Sequence, residues 1–214
     1  MRHTRKDDLN MHPDNGIVDL SVNIIPMLIE IMEHKDQDTM LHSSRVQKVI
    51  NDWIPSLIRK KIITEDDIPL LWVSAILHDI GKIFVQDEVL GSRNKLSETE
   101  FEHIRNHPSR GYKLLSQIDI PSNILSSVKH HHERWDGRRK GPFPAYPDGL
   151  KKKEIPLFAR IISIADTFDA LISERPYKKA FTRTEALKII RDASRRQFDP
   201  VLVRVFVKAM KKPV

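Results

Sequence analysis

The sequence predicts an all-α domain, and three observations support this prediction. Apolar residues recur every three or four positions in most segments between turn residues, as on the buried face of a helix. Two capping boxes, Ser97 with Glu100 and Thr182 with Glu185, mark the start of helices. No segment has the sustained apolar–polar alternation of a half-buried strand, so we predict no strands.

The N-terminal third is predicted to hold a leader and three helices. Residues 1–16 are polar and are interpreted as a loose leader. A second type of capping signal, Thr64 with Asp67, precedes the third apolar segment and favours a helix start there. Helical spacing of apolar residues predicts helices over 17–34, 41–59 and 68–78.

Proline and capping signals position the later helices. Pro108 disfavours helical geometry at the preceding residue, so His107 is predicted at a helix boundary. Pro121 and Pro156 are each preorganised for the first turn of a helix. An Asp-Pro pair beginning at residue 199 opens the last helix. The predicted helices cover 101–107, 121–132 and 156–173, and two more follow Thr182 and Asp199.

The composition excludes several classes of protein. A chain of 214 residues that is 40% hydrophobic and 30% charged is typical of one globular domain rather than of a disordered protein. No apolar run approaches the roughly 20 residues of a membrane span, and no signal-peptide core is present, so we expect a cytoplasmic location. Cysteine is absent, which excludes disulfides and thiolate ligands. Any transition metal must therefore be bound by histidines and carboxylates.

The net charge of +7 favours an anionic partner. The basic residues are dispersed apart from a few short clusters, which are typical either of a solvated surface or of a nucleic-acid groove. We expect no stable nucleic-acid complex, and a small anionic nucleotide substrate suits the same charge. The basic clusters lie at 138–140, 151–153, 195–196 and 211–212.

Histidines next to carboxylates give the strongest indication of chemistry. His78 and Asp79 follow an apolar run and offer a nitrogen and an oxygen ligand from one helix end, although a polar helix terminus has the same pattern. The carboxylate has two oxygens and could bridge two metal ions. Three consecutive histidines at 130–132 are hard to explain by packing and predict metal ligation. A solvated helix C-terminus is the alternative.

Two further pairs place carboxylates on helix faces. Asp166 and Asp169 are three residues apart in an otherwise apolar helix, so both face the same side and need a cation or hydrogen-bond partners. Asp38 and His42 are four residues apart on another predicted face. Each pair could be ordinary surface polarity. Their presence together in one small helical domain favours a metal centre with several ligands.

Lys82 and the loop over 136–150 are candidates for substrate contact. In the segment His-Asp-Ile-Gly-Lys, Gly81 could form a tight turn, and the Lys82 ammonium could balance charge that develops on a phosphate. An ordinary helix cap is an equal alternative for this lysine. The loop carries basic residues together with Phe143 and Tyr146, a combination that suits a base and a phosphate, although a mobile surface insertion is the alternative.

Taken in order, these segments resemble the HD-GYP family of HD-domain metal-dependent phosphohydrolases. The resemblance covers about residues 36–210 and implies an all-α HD-domain helical bundle over 36–214, preceded by a leader with a short helix over 1–35. The matching segments are HSSRV at 42–46, LHDIGK at 77–82, HPSRG at 107–111, HHERWDG at 131–137, YPDGL at 146–150, IPLFARIISIADTFDAL at 155–171, RPY at 175–177 and FDP at 198–200.

The resemblance also implies a centre of two or three divalent transition metals, with iron or manganese favoured. Asp79 would bridge two of the metals. Asp38 stands where some members of the family carry the glutamate that holds a third metal. The implied metal ligands are Asp38, His42, His78, Asp79, His107, His131, His132 and Asp166.

The implied substrate contacts lie partly in a segment that departs from the family pattern. Lys82, Arg175 and Lys178 match positions that contact substrate phosphate, and Tyr146 would lie near the substrate. The GYP signature is altered, because the chain has DGRRKGPFPAYP and Tyr146 arrives six residues late with Ala145 in place of the glycine. The ligands are unaffected, whereas the loop beside the substrate is changed.

The resulting functional hypothesis is a phosphodiesterase that hydrolyses a cyclic dinucleotide, in the first place cyclic di-GMP. The resemblance implies attack on phosphorus by a metal-bridging hydroxide, with Asp79 and Lys82 as catalytic residues. Two alternatives stay open at this point, namely an HD phosphohydrolase for another nucleotide or phosphoester and a noncatalytic cyclic-dinucleotide sensor. Signalling-protein partners and a homodimer also stay open.

Overall fold

The computed structural model describes residues 14–92, 97–141, 144–174 and 179–211, with side chains from residue 24 onwards. Three residues with predicted substrate roles, Phe143, Arg175 and Lys178, lie outside the described residues. Within the described ranges the protein is helical, and the only β-type pairing is an isolated bridge between Ser194 and Phe198. The all-α prediction is confirmed.

The described residues form ten α-helices and two short 3₁₀ helices. The first 3₁₀ helix covers Ile80–Phe84 and the second covers Lys152–Glu154. Within these ranges no helix combines the length and apolar character needed to cross a bilayer. The α-helices are α1 (Asp14–Lys35), α2 (Gln37–Arg59), α3 (Asp67–Leu77), α4 (Asp87–Leu90), α5 (Glu98–Arg105), α6 (His107–Leu115), α7 (Ser122–His130), α8 (Leu157–Ile172), α9 (Arg183–Asp192) and α10 (Pro200–Met210).

The sequence signals for helix ends are largely confirmed. Both capping boxes form, with the Ser97 and Thr182 side chains accepting from the backbone N–H three residues later. His107 does lie at a boundary, since α5 ends at Arg105 and α6 begins at His107. Helix α6 itself was missed. Pro108 stops α5 but also occupies the first turn of α6, where its missing N–H removes no hydrogen bond.

The larger hydrophobic core joins α2, α3, α8, α9 and α10. Its centre is an aromatic cluster in which the Phe206 ring lies edge-on to Trp53 at 4.8 Å and to Phe168 at 5.3 Å. These three side chains are almost fully buried. Burial of each such aromatic ring stabilises the fold by about 1.5–3 kcal/mol. This core holds α2 and α8 side by side, which matters for the site below.

A second core lies under α1, α3, α6, α7 and the first 3₁₀ helix. Leu28 and Met32 of α1 are buried in it, while Ile31 on the same helix is exposed. Helix α3 contributes to both cores, with Leu71 in the larger core and Leu77 in the second. The C-terminus of α3 therefore lies where the two cores meet. The predicted division between a leader and a phosphohydrolase domain at residue 36 stays a prediction.

Gly81 allows the first 3₁₀ helix to approach α6 closely. A Cβ atom at this position would lie 1.9 Å from the carbonyl oxygen of His107 and 2.6 Å from the backbone nitrogen of Gly111. Any other residue would push the two segments apart. The predicted tight turn is present, since the Lys82 backbone N–H donates to the Asp79 carbonyl at 2.9 Å. The glycine also permits the close backbone approach that brings His107 next to Asp79.

Candidate metal centre

Two groups of metal-ligating side chains lie at the junction of the two cores. In each group, one ligand atom from every member lies within 4.8 Å of the corresponding atoms of the others. The first cluster consists of Asp79, His107, His131 and His132. The second cluster consists of His42, His78 and Asp166. Seven of the eight predicted ligands are thus brought together in two neighbouring groups.

The first cluster is assembled from three helix ends. Asp79 follows α3, His107 begins α6, and His131 and His132 follow directly after α7. Side chains at helix ends can turn inward without interrupting the packing of the helices. Asp79, His107 and His131 are almost fully buried, and His132 is partly exposed.

The second cluster draws on helix α2, the end of α3 and helix α8. His42 and Asp166 face each other across the α2–α8 contact, with His42 Nε2 3.0 Å from Asp166 Oδ1. His78 caps α3 and its ring lies edge-on to His42, with centroids 5.5 Å apart. The packing of α2 on α8 in the larger core therefore sets the distance between two of the three ligands.

Asp79 contacts both clusters through its two carboxylate oxygens. Oδ1 lies 3.0 Å from His107 Nε2 and 3.8 Å from His131 Nε2, within the first cluster. Oδ2 lies 3.4 Å from His78 Nε2 of the second cluster and accepts a hydrogen bond from Lys82 Nζ at 2.6 Å. One carboxylate therefore joins the two groups.

Three imidazoles are oriented by the backbone. In His78, His107 and His131 the Nδ1 atom lies 2.7–2.8 Å from the carbonyl oxygen of the residue three positions earlier. A carbonyl only accepts, so Nδ1 carries the proton in each ring and Nε2 presents a lone pair to the cluster. Ending a helix at or just before the histidine makes this local bond available.

His42 is oriented by a side chain instead. Its Nδ1 donates to Asp169 Oδ2 at 2.7 Å, and Asp169 Oδ1 accepts from Arg45 Nε at 2.8 Å. Asp169 is buried, whereas the Arg45 side chain is about half exposed. The sequence indicated that Asp169 faces the core and needs a partner, but it could not show that the partner lies 127 residues away.

The two clusters differ in protonation. Burial, together with neighbouring imidazoles, lowers the pKa of His131 well below its usual value and that of His132 to about 3, so both rings are neutral. Burial opposes the charged form of His42 as well, but its hydrogen bonds to Asp166 and Asp169 prevail and raise its pKa to about 9. For Asp79, burial opposes ionisation, yet Lys82 and the imidazoles lower the pKa well below its usual range.

The residues fit divalent metal ions. His78 Nε2 is buried with no hydrogen-bond partner, a costly arrangement for a polar atom. The Nε2 atoms of His107 and His131 lie 3.2 Å apart, and both rings hold their proton on Nδ1, so two lone pairs face each other. A cation among these atoms resolves both conflicts. Imidazole nitrogens combined with ionised carboxylates are a donor set that suits first-row transition metals.

The remaining predicted site residues occupy different positions. Asp38 is exposed in the first turn of α2 and belongs to neither cluster. Lys82 is half-buried and bonded to Asp79. Tyr146 stacks on His132, with ring centroids 4.7 Å apart and planes inclined by 26°. The delayed tyrosine of the altered loop thus reaches the first cluster.

Two residues that support Tyr146 were missed by the sequence analysis. The Arg105 guanidinium lies over the Tyr146 ring in a cation–π contact, 5.0 Å from the ring centre. Glu133 is buried and accepts from the backbone N–H groups of Asp148 at 2.8 Å and Gly149 at 2.9 Å. The peptide bond before Pro147 is cis. These contacts anchor the loop beside the ligand histidines.

Comparison with known proteins identifies the family. Residues 26–202 match the sequence pattern of the HD domain. The chain belongs to the HD domain family. The resemblance found in the sequence motifs is thereby confirmed, and this HD-domain chain has named relatives in several bacteria.

Three relatives illustrate the range of named activities. The chain is 34% identical over 197 residues to the cyclic di-GMP phosphodiesterase of Thermotoga maritima, covering 91% of this chain and 50% of that protein. It is 36% identical to the cyclic di-GMP phosphodiesterase response regulator RpfG of Xanthomonas campestris, with coverage of 87% and 47%. It is 33% identical to the 3′3′-cGAMP-specific phosphodiesterase 3 of Vibrio cholerae, with coverage of 87% and 38%. The chain spans half or less of each relative.

A solved structure supports the fold. The HDG"Y"P protein Bd1817 of Bdellovibrio bacteriovorus superimposes with a TM-score of 0.62 at 19% identity, covering 92% of this chain and 60% of that chain. At this level of identity the likeness concerns the helical architecture, and it agrees with the helix order described above.

Proposed function

We propose that this HD-domain chain is a metal-dependent phosphodiesterase that hydrolyses a cyclic dinucleotide, with cyclic di-GMP as the preferred substrate. The observation that carries the proposal is the position of Asp79, whose two oxygens face two separate groups of ligands. Such a carboxylate suits a pair of metals held side by side. Relatives named as cyclic di-GMP phosphodiesterases support the choice of substrate.

The two clusters would hold one metal each, with Asp79 shared between them. The mixed imidazole and carboxylate donors favour iron or manganese. A third metal would need Asp38, which is exposed, to turn toward the second cluster. When bound, the metals supply Lewis acidity and a nucleophile at neutral pH.

Lys82 is proposed to stabilise charge on the reacting phosphate. Its ammonium is held 2.6 Å from Asp79 Oδ2 at the edge of both clusters and is only half-buried, so it can also face a bound ligand. A fixed cation at this place would favour the extra negative charge of the transition state. Arg175 and Lys178 are proposed from the family resemblance to contact the substrate phosphates.

Tyr146 is proposed to form part of the substrate site. Its ring covers His132 on one side of the first cluster, and Arg105 lies over the ring. Both faces of the ring are thus covered, and the ring holds a guanidinium beside the ligand histidines, where a cation suits a substrate phosphate. Because the loop differs from the usual pattern of the family, this is the part of the site where substrate preference would be set.

A second candidate substrate is 3′3′-cGAMP. One relative with a similar level of identity is named as specific for this dinucleotide, and the loop that departs from the family pattern carries Tyr146 beside the first cluster. Both candidates share the same phosphodiester chemistry and differ in one base.

The test is to incubate metal-loaded protein with cyclic di-GMP, 3′3′-cGAMP and a simple phosphodiester, and to identify the products by mass spectrometry. We expect linear or fully cleaved products from cyclic di-GMP first. A variant with His131→Ala controls for contaminating activity. Hydrolysis of the simple ester alone would point to a general phosphohydrolase. Binding without turnover in protein shown to contain metal would point to a sensor.

A further inference from the structure

Three basic clusters that are far apart in the sequence meet on one surface. The backbone N–H of Trp135 donates to Gln197 at 3.0 Å, and that of Asp136 donates to Arg196 at 2.8 Å. The backbone N–H of Lys152 donates to Trp135 at 2.9 Å. These main-chain bonds connect the segments that carry all three clusters, so the convergence is a property of the backbone and not of flexible side-chain placement.

We call this region the basic surface. All of its basic side chains are exposed, and together they account for a large share of the chain's 36 lysines and arginines in one place. The fourth cluster, at 211–212, lies partly outside the described residues. The basic surface consists of Arg138, Arg139, Lys140, Lys151, Lys152, Lys153, Arg195 and Arg196.

Nearby carboxylates are engaged elsewhere. Asp136 accepts two hydrogen bonds from the buried Arg134 guanidinium, at 2.8 and 2.9 Å. Asp148 pairs with Lys129 at 2.7 Å. Glu154 accepts from the backbone N–H of Lys151 at 3.0 Å and is exposed, so one negative charge lies beside the eight cations of the basic surface. Within the described residues, no carboxylate pairs with the four lysines of the basic surface or with its two arginines at 195–196. The surface therefore keeps its positive charge.

Two of these basic residues occupy backbone positions that favour glycine. Lys152 has φ 54° and Arg195 has φ 66°, both in the left-handed region. Glycine or asparagine would adopt this conformation with less strain. Lys61, which lies outside the basic surface, has the same conformation with φ 54°, so the backbone geometry by itself does not identify the surface.

The composition of the basic surface favours a lipid bilayer over a protein or a nucleic acid as the partner. None of the large apolar side chains exposed in the described residues belongs to it, so it lacks the apolar anchors of a specific protein interface. It also presents no exposed aromatic ring for base stacking within those residues, and its cations come from loops rather than from a helix that could enter a groove. An anionic bilayer attracts exposed cations without base stacking and without a groove, so it matches a surface made only of cations on loops.

We propose that the basic surface binds the anionic face of a lipid bilayer. Each lysine or arginine close to an anionic bilayer adds favourable electrostatic energy, and the attraction falls off within a Debye length. The basic surface lies outside both ligand clusters, and its residues 138–140 belong to the loop proposed to set substrate preference; vesicle binding is measured without nucleotide, so its result is independent of the proposed function.

The experiment measures binding of the full chain to vesicles by co-sedimentation. One set contains phosphatidylcholine with phosphatidylglycerol, and the other contains phosphatidylcholine alone. A triple variant changes one residue in each segment, Lys140→Glu, Lys152→Glu and Arg195→Glu. The matched control reverses three exposed lysines outside the basic surface, Lys48→Glu, Lys60→Glu and Lys113→Glu, and so has the same net charge.

We expect the unmodified chain to bind only the anionic vesicles, and more weakly as salt increases. The basic-surface variant should bind at least about tenfold more weakly, while the matched control stays within about threefold. Circular dichroism establishes that both variants are folded. Equal losses in the two variants would show that net charge alone is responsible and would overturn the proposal. Tighter binding to duplex DNA or single-stranded RNA, lost in the same variant, would overturn it in favour of a nucleic acid.

Discussion

The two ligand clusters use the same kinds of side chain but are supported differently. Two imidazoles of the first cluster are oriented by neutral backbone carbonyls, and His131 and His132 are kept neutral by burial. The second cluster contains His42, which is oriented by the charged Asp169 and holds its proton up to a pKa of about 9. The first cluster is thus ready to accept a metal, whereas the second must first release a proton.

Ligand identity alone therefore does not determine metal affinity. A carbonyl fixes the ring and its tautomer without adding charge. A carboxylate fixes the ring too, but it also stabilises the protonated imidazolium that competes with the metal, and it makes the deprotonated ring a stronger ligand. The two metal positions should therefore respond differently to substitution and to pH.

Removal of Asp79 should have the largest effect, because this residue belongs to both clusters. We expect Asp79→Ala to lower metal content at both positions and to reduce turnover by more than about a thousandfold, since several kcal/mol of catalysis depend on the metals. Metal analysis and product formation are the measurements. Asp166→Ala is the control and should deplete only the second position. Two bound metals in Asp79→Ala would contradict the shared role.

Substitution of Lys82 should lower the rate of hydrolysis without changing metal binding at either cluster. We expect Lys82→Ala to keep both metals and to lose about 2–4 kcal/mol of transition-state stabilisation, as when a preorganised donor is removed. The measurement is kcat/KM at fixed metal content. The control is Lys113→Ala, an exposed lysine on α6. An unchanged rate would mean that Lys82 serves only to neutralise Asp79.

Asp169 should affect the second cluster alone. In Asp169→Asn the amide oxygen can still accept from His42, but the negative charge is lost. We expect metal affinity at the second position to fall by about 10–100-fold, while the first position is unchanged. Calorimetric metal titration resolves the two sites. Ser173→Ala removes another contact to Asp169, at 3.2 Å, and should leave both affinities intact. An equal loss of metal affinity at both positions would contradict the assignment of Asp169 to the second cluster alone.

The pH dependence of metal affinity tests the same difference between the clusters and should show a smaller effect. His42 has a raised pKa of about 9, so a proton competes with the metal below that pH and is released as the metal binds. We expect affinity at the second position to rise as pH increases from neutrality towards 9. The first position should change little, because His132 has a pKa of about 3 and is already neutral. Titrations at several pH values, in buffers of differing ionisation enthalpy, measure both quantities.

Tyr146 should have the smallest effect and should involve only the substrate. We expect Tyr146→Leu to keep both metals and to raise KM several-fold, since Arg105 loses a cation–π contact worth about 0.5–1 kcal/mol that holds it beside the substrate site. Tyr112→Leu is a matched control, because Tyr112 is an exposed tyrosine on α6 that also lies near a cation, Lys129. A loss of metal in Tyr146→Leu, with KM unchanged, would assign the ring to support of His132.

Much of the fold followed from local signals. Capping boxes, proline positions and apolar spacing depend on residues within a few positions of one another, so the predicted helices were found with ends shifted by a few residues. The failure at α6 has the same origin, since Pro108 ends one helix and begins another, and a local rule treats only the first event. The candidate ligands could be proposed because histidines and aspartates at helix ends are chemically conspicuous.

The sequence by itself determined the helical class, the approximate ends of most of the longer helices and the types of donor available for a metal. Only the tertiary structure decided which donors share a site, that Asp79 faces both groups, that Asp169 orients His42, and that three basic clusters form one surface. The physical reason is the separation along the chain of the residues that must interact. Helix formation is governed by hydrogen bonds a few residues apart, whereas a metal site or a charged surface depends on which helices and loops the two hydrophobic cores bring together.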